Sequence, residues 1–209
     1  MPVGAVITGD IVASTKLEKP TLRRLMKDMA ALLAPHSYEF YRGDSFQVYI
    51  KDRLLAFPVI LQLRTAALKV VPDSAVPVSD VRASIGIGNV KFPVRLLRTT
   101  TDEAFVLSGR AFDALRASQR LAIAIPGEFE TAQEGLQVVS EFADYLLQRM
   151  TVKQAAVVSE LLLNRTQKEA AKRLKRSQAT IHKHAQAAGW PQLENLLLNF
   201  EMLTKTLTV

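Results

Sequence analysis

Two aspartates near the start of the chain could share a cation. Asp10 lies near the end of an apolar, β-branched run at 3–12, and Asp44 lies at the turn between two short β-rich runs. A carboxylate without a partner is costly inside a buried strand, so Asp10 is expected at a strand end or beside a partner. Two close carboxylates repel each other unless a proton or a cation lies between them. Oxygen-rich sites of this kind suit Mg²⁺ or Mn²⁺, which commonly bring a polyphosphate.

The elements that must position these aspartates follow the order β-α-β-β-α-β-α-β. Hydrophobic periodicity predicts strands at 3–12, 38–42, 45–50, 81–90 and 120–125, and helices at 20–34, 53–70 and around 108–118. The first six elements match the split β-α-β plan, in which strand 1 lies beside strand 3 and runs antiparallel to it. That plan predicts Asp10 and Asp44 on one rim of the sheet. The structural alternative is that Asp10 caps the following helix and Asp44 is a turn residue.

A second candidate for chemistry is a local excess of positive charge. The whole chain has a net charge of +7, and residues 151–190 alone hold eight Lys and Arg against two Asp and Glu. Such a concentration of charge is typical of a module that binds a polyanion. A solvated pair of basic helices is the alternative with the same composition.

The basic stretch has the pattern of a helix-turn-helix. The first helix of the unit starts with a capping box, Thr166 with Glu169, and contains a small residue for close packing, Ala170 or Ala171. The second helix starts at the N-cap Ser177, carries the apolar anchor Ile181 and ends at Gly189. A polar passage at 127–137 and helices at 138–149 and 152–163 precede this unit. An amphipathic helix at 192–205 follows it, and this helix either contacts a second copy of the chain or completes the core.

The polar residues of this unit are candidates for DNA contacts. Gln, Ser and Thr on the second helix can read base edges, whereas Lys and Arg suit phosphates. His182 and His184 are two positions apart on a helix and point in different directions, so they do not predict a zinc site. The candidate DNA-binding residues are Lys168, Lys172, Arg173, Arg176, Ser177, Gln178, Thr180, His182, Lys183 and Gln186.

Four segments occur in the order found in the catalytic core of class III nucleotidyl cyclases, which is a palm fold. They are GDIVAST at 9–15, RGDSFQVYI at 42–50, VRASIGIGNV at 81–90 and SGRAFDALR at 108–116. The chain also resembles the SatD-like family of small bacterial proteins. The resemblance implies that Asp10, Asp44 and the Ile11 carbonyl bind the metal. The triphosphate would lie on a helix N-terminal turn formed by Val12, Ala13, Ser14 and Thr15, and Arg42 and Ser45 are further candidates for the nucleotide pocket.

Three departures from the cyclase pattern bear on activity. Phe40 stands where cyclases carry a purine-selecting lysine. Asp113 and Ala117 stand where they carry a transition-state Asn and Arg. Loss of that arginine removes stabilisation at the place where charge develops. The resemblance therefore implies binding of a metal-nucleotide without cyclisation.

Residues 150–190 resemble the DNA-binding unit of LuxR-type regulators and of sigma region 4. The segment TQKEAAKRLKRSQATIHKHAQAAG at 166–189 carries that pattern. One departure is Lys175-Arg176, where a glycine usually makes the turn.

The sequence thus predicts an α+β protein in three parts. A ferredoxin-like, cyclase-like palm domain at 1–127 and a connecting segment and helix at 128–150 precede an all-α helix-turn-helix domain at 151–209. The function predicted is a DNA-binding transcriptional regulator with a palm-like sensor domain that binds Mg or Mn and a nucleoside triphosphate. The alternative is an active nucleotidyl cyclase or nucleotidyltransferase that uses Asp10 and Asp44. Duplex DNA and a second copy of the chain, as a homodimer, are the expected partners.

The chain has no cysteine, and it has no apolar run of membrane-spanning length. Disulfides, Cys-ligated metals and a membrane location are therefore not expected. A cytoplasmic protein is the simplest prediction.

Overall fold

The chain forms a five-stranded β-sheet and eight α-helices in the computed structural model, which describes residues 2–91, 94 and 96–207. The elements are, in chain order, β1 (Val3–Val12), α1 (Lys19–Leu33), β2 (Ser37–Tyr41), β3 (Ser45–Ile50), α2 (Ala56–Leu68), β4 (Asp80–Asn89), α3 (Glu103–Asp113), β5 (Leu121–Ala124), α4 (Glu130–Gln148), α5 (Val152–Leu161), α6 (Gln167–Leu174), α7 (Gln178–Ala187) and α8 (Trp190–Lys205). The predicted α+β class and the predicted order of strands and helices up to β5 are confirmed. Among the described residues, none of the helices is long and apolar enough to cross a membrane.

The sheet has the strand order β2-β3-β1-β4-β5, with β1 at its centre. β1 runs antiparallel to β3 and to β4, whereas β5 is parallel to β4. The predicted pairing of the first and third strands is confirmed, because Asp10 pairs with Ser45. One position further along β1, the Ile11 N–H donates to the Asp44 carbonyl at 3.0 Å. Asp10 and Asp44 therefore lie at the same end of the sheet.

The two faces of the sheet differ in what covers them. One face is apolar and packs against α1, α2 and α4, with Ala5, Ile7 and Ile11 contributed by β1. The opposite face carries α3 over β1 and β4. Gly86 permits this close approach, because a Cβ there would lie 2.3 Å from the carbonyl oxygen of Ala104.

α4 begins earlier than the sequence pattern suggested. It is one helix of 19 residues from Glu130, so most of the polar passage at 127–137 is helical. Leu136 is buried in the core, whereas Glu134 and Gln137 are exposed. The passage is therefore amphipathic, and its apolar side docks on the sheet.

A buried arginine of α2 ties α4 to the sheet. The Arg64 side chain has no exposed surface, and its guanidinium donates to both carboxylate oxygens of Asp80 at 3.1 and 2.7 Å. It also donates to Asp144 at 2.8 Å. Because Asp80 begins β4 and Asp144 lies in α4, this network joins three elements.

The C-terminal helices pack on the same core as the sheet. Phe57 of α2 stacks on Phe200 of α8 with 5.1 Å between the ring centroids. Gln62 Nε2 of α2 donates to the Leu162 carbonyl at 3.0 Å. The parts that the sequence divided at 127 and 151 thus share one hydrophobic cluster. The division into domains stays a prediction, and these contacts bear on how the parts unfold.

Candidate functional site

Asp10 is held by an arginine of the neighbouring strand. Arg82 on β4 lies directly opposite Asp10 on β1. Its guanidinium donates to both oxygens of the Asp10 carboxylate, at 2.7 and 3.4 Å, and lies over the Phe112 ring with 4.7 Å to the centroid. The partner predicted for the Asp10 carboxylate is therefore the Arg82 guanidinium. The helix-capping alternative for Asp10 is wrong, because the turn after β1 has Ala13 at its N-cap and no side-chain cap.

Asp44 is held by a serine of the turn that follows β1. The buried Ser14 hydroxyl donates to Asp44 Oδ2 at 2.6 Å, and the Ser45 hydroxyl lies 3.5 Å from Oδ1. Asp44 follows two hairpin residues with positive φ, Arg42 at 53° and Gly43 at 86°. Glycine adopts that conformation freely, whereas it is uncommon for arginine. Asp44 is thus both a turn residue and a hydrogen-bond partner of the neighbouring turn.

The donor atoms on this rim are of the kind that Mg²⁺ or Mn²⁺ prefers. Asp10, Asp44 and the Ile11 carbonyl are the groups that would hold such an ion. In the described part of the chain, no three His, Asp or Glu side chains gather as a metal site. The residues fit a divalent ion in donor type, but Arg82 competes with it for both oxygens of Asp10.

The segment predicted to hold a triphosphate forms a tight turn that is separate from α1. Ser14–Lys16 is a single 3-10 turn, preceded by Ala13 with φ 57°, and α1 begins only at Lys19. Leu17 lies between them with an extended backbone and a buried side chain. The helix predicted at 20–34 is confirmed as α1, and the helix N-terminus that the resemblance implies at 12–15 is a 3-10 turn instead.

Three further predicted nucleotide contacts lie around this turn and the hairpin. The Val12 carbonyl accepts the Ser79 hydroxyl at 2.8 Å. Thr15 and Arg42 are exposed. Their side chains are accessible to a ligand, and the contacts proposed for them stay predictions.

Beside Asp10 the sheet carries a strip of polar side chains, most of which belong to the four segments that resemble the cyclase core. Gln47 Nε2 on β3 donates to Thr8 Oγ1 on β1 at 3.3 Å. The Ser108 hydroxyl of α3 donates to the same Thr8 oxygen at 2.7 Å. With Asp10 and Arg82 these residues form a polar strip across β3, β1 and β4. Gln47, Asp10 and Arg82 are only partly buried, whereas Thr8 and Ser108 are buried, so a ligand has access to the first three side chains.

The positions that depart from the cyclase pattern serve other purposes. Phe40 packs against Phe46 with 6.1 Å between the ring centroids and belongs to the apolar face of the sheet. Asp113 is the last residue of α3, and Ala117 lies beyond it. The helix predicted to reach residue 118 thus ends at Asp113. Beyond it the chain turns, and the Gln119 side chain accepts the Arg116 N–H at 3.1 Å.

In the C-terminal part, α6 and α7 pack against α5 through a small apolar cluster. Its buried members are Val157, Leu161, Ala170, Ala171, Ile181 and Ala185. Ala170 and Ile181 have no exposed surface. The small residue and the apolar anchor that the sequence pattern indicated are therefore in this core.

The turn between α6 and α7 is defined by capping interactions. Thr166 and Glu169 form the predicted capping box, and the hydrogen bond from the Thr166 N–H lowers the pKa of the Glu169 carboxyl. Lys175 has a left-handed backbone, with φ 53° and ψ 49°, where the resemblance expects glycine. Ser177 Oγ then caps α7 by accepting the Thr180 N–H at 3.1 Å. The turn is made without glycine.

Most of the predicted DNA contacts are exposed on this helix pair. Gln178, His182 and Gln186 follow at four-residue intervals and lie along one face of α7. The exposed members of the predicted set are Lys168, Lys172, Arg173, Arg176, Ser177, Gln178, His182, Lys183 and Gln186. Thr180 is half-buried, and its hydroxyl lies 2.9 Å from that of Ser177. These two hydroxyls are therefore engaged in capping.

Arg173 has a partner within the protein. Its Nε donates to Glu160 Oε2 at 2.8 Å, and Arg165 Nη1 donates to the same oxygen at 2.6 Å. The Glu160 side chain is 10% exposed, so the two arginines neutralise a nearly buried carboxylate of α5. Replacing Arg173 would therefore change the packing of α6 as well as any DNA contact.

A basic groove beside α7 combines the predicted Arg176 and Lys183 with three further cations, Arg24, Lys69 and Lys153. The groove has a volume of about 1140 Å³ and lies between α7, α5 and the segment that follows α2. At its wall, Lys69 Nζ donates to Ser159 Oγ at 2.7 Å, and burial lowers the pKa of Lys69. The charged residues that line the groove are Arg24, Lys69, Lys153, Arg176 and Lys183, with Asp28 and Asp73 of opposite sign.

No model of a known protein family matches this chain, and no curated protein sequence matches it. The resemblances to the SatD-like family, to nucleotidyl cyclases and to LuxR-type units stay predictions.

Proposed function

We propose that this protein binds duplex DNA through α6 and α7 and acts as a transcriptional regulator. The observation that carries the proposal is the exposed row of Gln178, His182 and Gln186 along α7. Side chains in such a row can reach base edges, and flanking Lys and Arg neutralise phosphates. The net positive charge of 151–190 supports the same conclusion.

The basic groove extends this surface towards the sheet. Arg176 and Lys183 line it on the side of α7, and Lys153 and Arg24 line it from α5 and α1. A DNA backbone that leaves α7 on this side would meet cations from both parts of the chain. We therefore add Lys153 to the proposed phosphate contacts, whereas Lys69 is already held by Ser159 and Arg24 Nη2 already donates to the Val70 carbonyl.

The DNA proposal is tested by measuring the affinity of the full chain for duplex DNA at several salt concentrations. With roughly four phosphate contacts, counterion release predicts a loss of about a hundredfold between roughly 50 and 200 mM salt. Replacing Lys172, Arg176 and Lys183 with alanine should weaken binding to every sequence and flatten the salt dependence.

The matched control replaces three exposed cations elsewhere in the chain, Lys91, Arg110 and Arg116, with alanine. This variant loses the same charge and should keep its affinity and its salt dependence. Equal losses in both variants, or no binding by the unaltered chain at low salt, would contradict the proposal.

We also propose that the polar strip binds a nucleotide, and that this part is a palm-like sensor. The strand order β2-β3-β1-β4, with β1 antiparallel to its neighbours, supports the palm-like assignment. Arg82 offers a guanidinium that suits phosphate, and Asp10 and Asp44 offer oxygen donors for a divalent ion. A bound Mg²⁺ or Mn²⁺ would supply positive charge beside the phosphates.

The nucleotide proposal is tested by thermal unfolding with nucleoside triphosphates, with and without Mn²⁺. A ligand that binds only the folded chain raises the melting temperature. If the ion is a ligand, the increase requires Mn²⁺ and is lost in Asp10→Asn. If Arg82 binds the phosphates directly, the increase persists without Mn²⁺ and is lost in Arg82→Ala. Arg110→Ala is the control for both, and no increase with any triphosphate would contradict the proposal.

An active nucleotidyl cyclase or nucleotidyltransferase is the second candidate function. It is favoured by the position of Asp10 and Asp44 at one end of the sheet. It is disfavoured by Asp113 and Ala117, which are exposed at and beyond the end of α3 and provide no transition-state arginine. Incubation with ATP or GTP and Mn²⁺, followed by chromatography of the products, should show no turnover. A cyclic product would establish the enzyme instead.

A further inference from the structure

α4 carries an apolar stripe on the side that faces away from the sheet. Val138, Phe142 and Tyr145 are 65%, 40% and 54% exposed. Their spacing of four and then three residues places them on one face of the helix. The rings of Phe142 and Tyr145 stack with centroids 6.3 Å apart. Exposed aromatic residues in a row are typical of a protein–protein interface.

The stripe ends in charges of opposite sign. Glu134 lies one turn before Val138, and Arg149 lies one turn after Tyr145 at the C-cap of α4. The Arg149 guanidinium lies 5.1 Å from the centroid of the Tyr145 ring, so the basic end is continuous with the aromatic part. The exposed Glu141 lies at the edge of the stripe, three residues after Val138 and four before Tyr145, and its carboxylate accepts the Gln137 side-chain amide at 2.8 Å. A matching surface must therefore be basic at one end, apolar in the middle with a polar edge, and acidic at the other end.

We propose that the stripe binds α4 of a second copy of this chain, antiparallel to the first and related to it by a two-fold axis. Reversing α4 supplies the complementary order of charges. In a pair centred between Glu141 and Phe142, Val138 lies beside Tyr145 of the partner subunit, and Phe142 lies beside Glu141 of the partner subunit. The same pairing places Glu134 beside Arg149 of the partner subunit. The two-fold axis repeats each of these contacts, as in any isologous interface.

The other helix considered for this contact is used inside the chain. α8 buries Leu193 and Phe200 in the core, and its Leu203 packs where Gly135 of α4 leaves room for it. The stretch at 192–205 therefore completes the core. Leu198 and Met202, one turn apart on α8, remain 62% and 60% exposed, and Met202 is therefore a matched control for the residues of α4.

The first experiment measures the mass of the full chain in solution by sedimentation equilibrium, in the absence of DNA. The unaltered chain should be in equilibrium between monomer and dimer. Phe142→Glu should raise the dissociation constant of the dimer about tenfold or more, because it buries charge at the centre of the interface. Met202→Glu introduces the same charge at an exposed apolar position and should leave the dissociation constant unchanged.

The second experiment exchanges the two end charges. Glu134→Arg alone, and Arg149→Glu alone, should each raise the dissociation constant about tenfold, because each change converts two attractive contacts into repulsive ones. The double variant should restore the affinity of the unaltered chain, a result that misfolding cannot produce. A chain that stays monomeric throughout the micromolar range, or a double variant that does not recover, would overturn the proposal. Neither result depends on DNA or nucleotide binding.

Discussion

Arg82 changes what Asp10 can do. An unpaired carboxylate at the end of a strand would attract a cation from solvent, whereas Asp10 already shares both oxygens with a guanidinium. The two side chains are 26% and 32% exposed, so the pair contributes at most about 1 kcal/mol to folding. Its main effect is local, because it holds Arg82 beside Thr8 and Gln47, where a phosphate could be bound.

Arg64 is the charged residue whose loss should matter most for stability. Arg64→Leu is expected to lower the free energy of unfolding by about 3–5 kcal/mol, because it leaves Asp80 and Asp144 buried without a cation. Urea unfolding measures this loss. A triple variant that also carries Asp80→Asn and Asp144→Asn should recover much of it. A triple variant no more stable than Arg64→Leu would show that lost packing, not unpaired charge, is the cause.

His36 should make stability depend on pH. Burial lowers the pKa of His36 from its ordinary value of 6.5, so the unfolded chain binds a proton more readily than the folded chain. The free energy of unfolding is therefore expected to decrease as the pH falls through 6.5. Urea unfolding between about pH 7.5 and 5.5, above the range of ordinary carboxylates, measures the slope. His36→Gln should flatten it, whereas His182→Gln, at an exposed histidine of α7, serves as the control.

At the scale of elements, the pair α6–α7 is defined by its two ends and by the turn between them. The capping box at Thr166 and the cap at Ser177 satisfy backbone N–H groups that would otherwise lack partners at the helix starts. The apolar cluster around Ile181 fixes α7 against α5. These interactions place the exposed row of α7 on a rigid support, which a surface that reads DNA requires.

The turn between α6 and α7 contains Lys175 with a left-handed backbone. A left-handed backbone is unfavourable for lysine and easy for glycine, so Lys175→Gly should raise the free energy of unfolding by about 0.5–1 kcal/mol. Thermal or urea unfolding measures the change. Arg176→Gly, at the next position, is the control. Arg176 is not one of the described residues with a positive φ, so glycine there should lower the free energy of unfolding. A stabilisation by both changes would mean that the turn conformation is not the cause.

At the scale of the whole molecule, α2 is the element that both parts share. One side of α2 lies on the sheet, and the other side contacts α5 and α8. Arg53 Nε, just before α2, donates to the Thr204 carbonyl at 3.0 Å. With the Phe57–Phe200 stack, this contact makes the two parts dependent on each other for burial of apolar surface.

This shared core predicts that the chain unfolds as one cooperative unit. Trp190, the single tryptophan, reports on the helical part. Its fluorescence and the far-ultraviolet circular dichroism should give the same urea midpoint. Arg64→Leu, which damages the contact between α2, β4 and α4, should lower the midpoint seen by Trp190 as well. Two separated transitions would support the predicted division at 127 and 151 instead.

The features that depend on near neighbours in the chain could be predicted from the amino-acid sequence. The strands and helices up to β5 followed from periodicity, and the caps at Thr166 and Ser177 followed from residue types at short spacing. The pairing of β1 with β3, and hence the common rim of Asp10 and Asp44, followed from the order of the elements.

Partners that are distant in the chain became evident from the folded structure. Arg82 reaches Asp10 through the strand register, and Arg64 reaches Asp144 because α4 docks beside α2. The early start of α4 accompanies the same docking, because Leu136 and Ala132 of the polar passage pack on the core. Such partners have no fixed spacing in the sequence, since it is the register of strands and the packing of helices that brings them together.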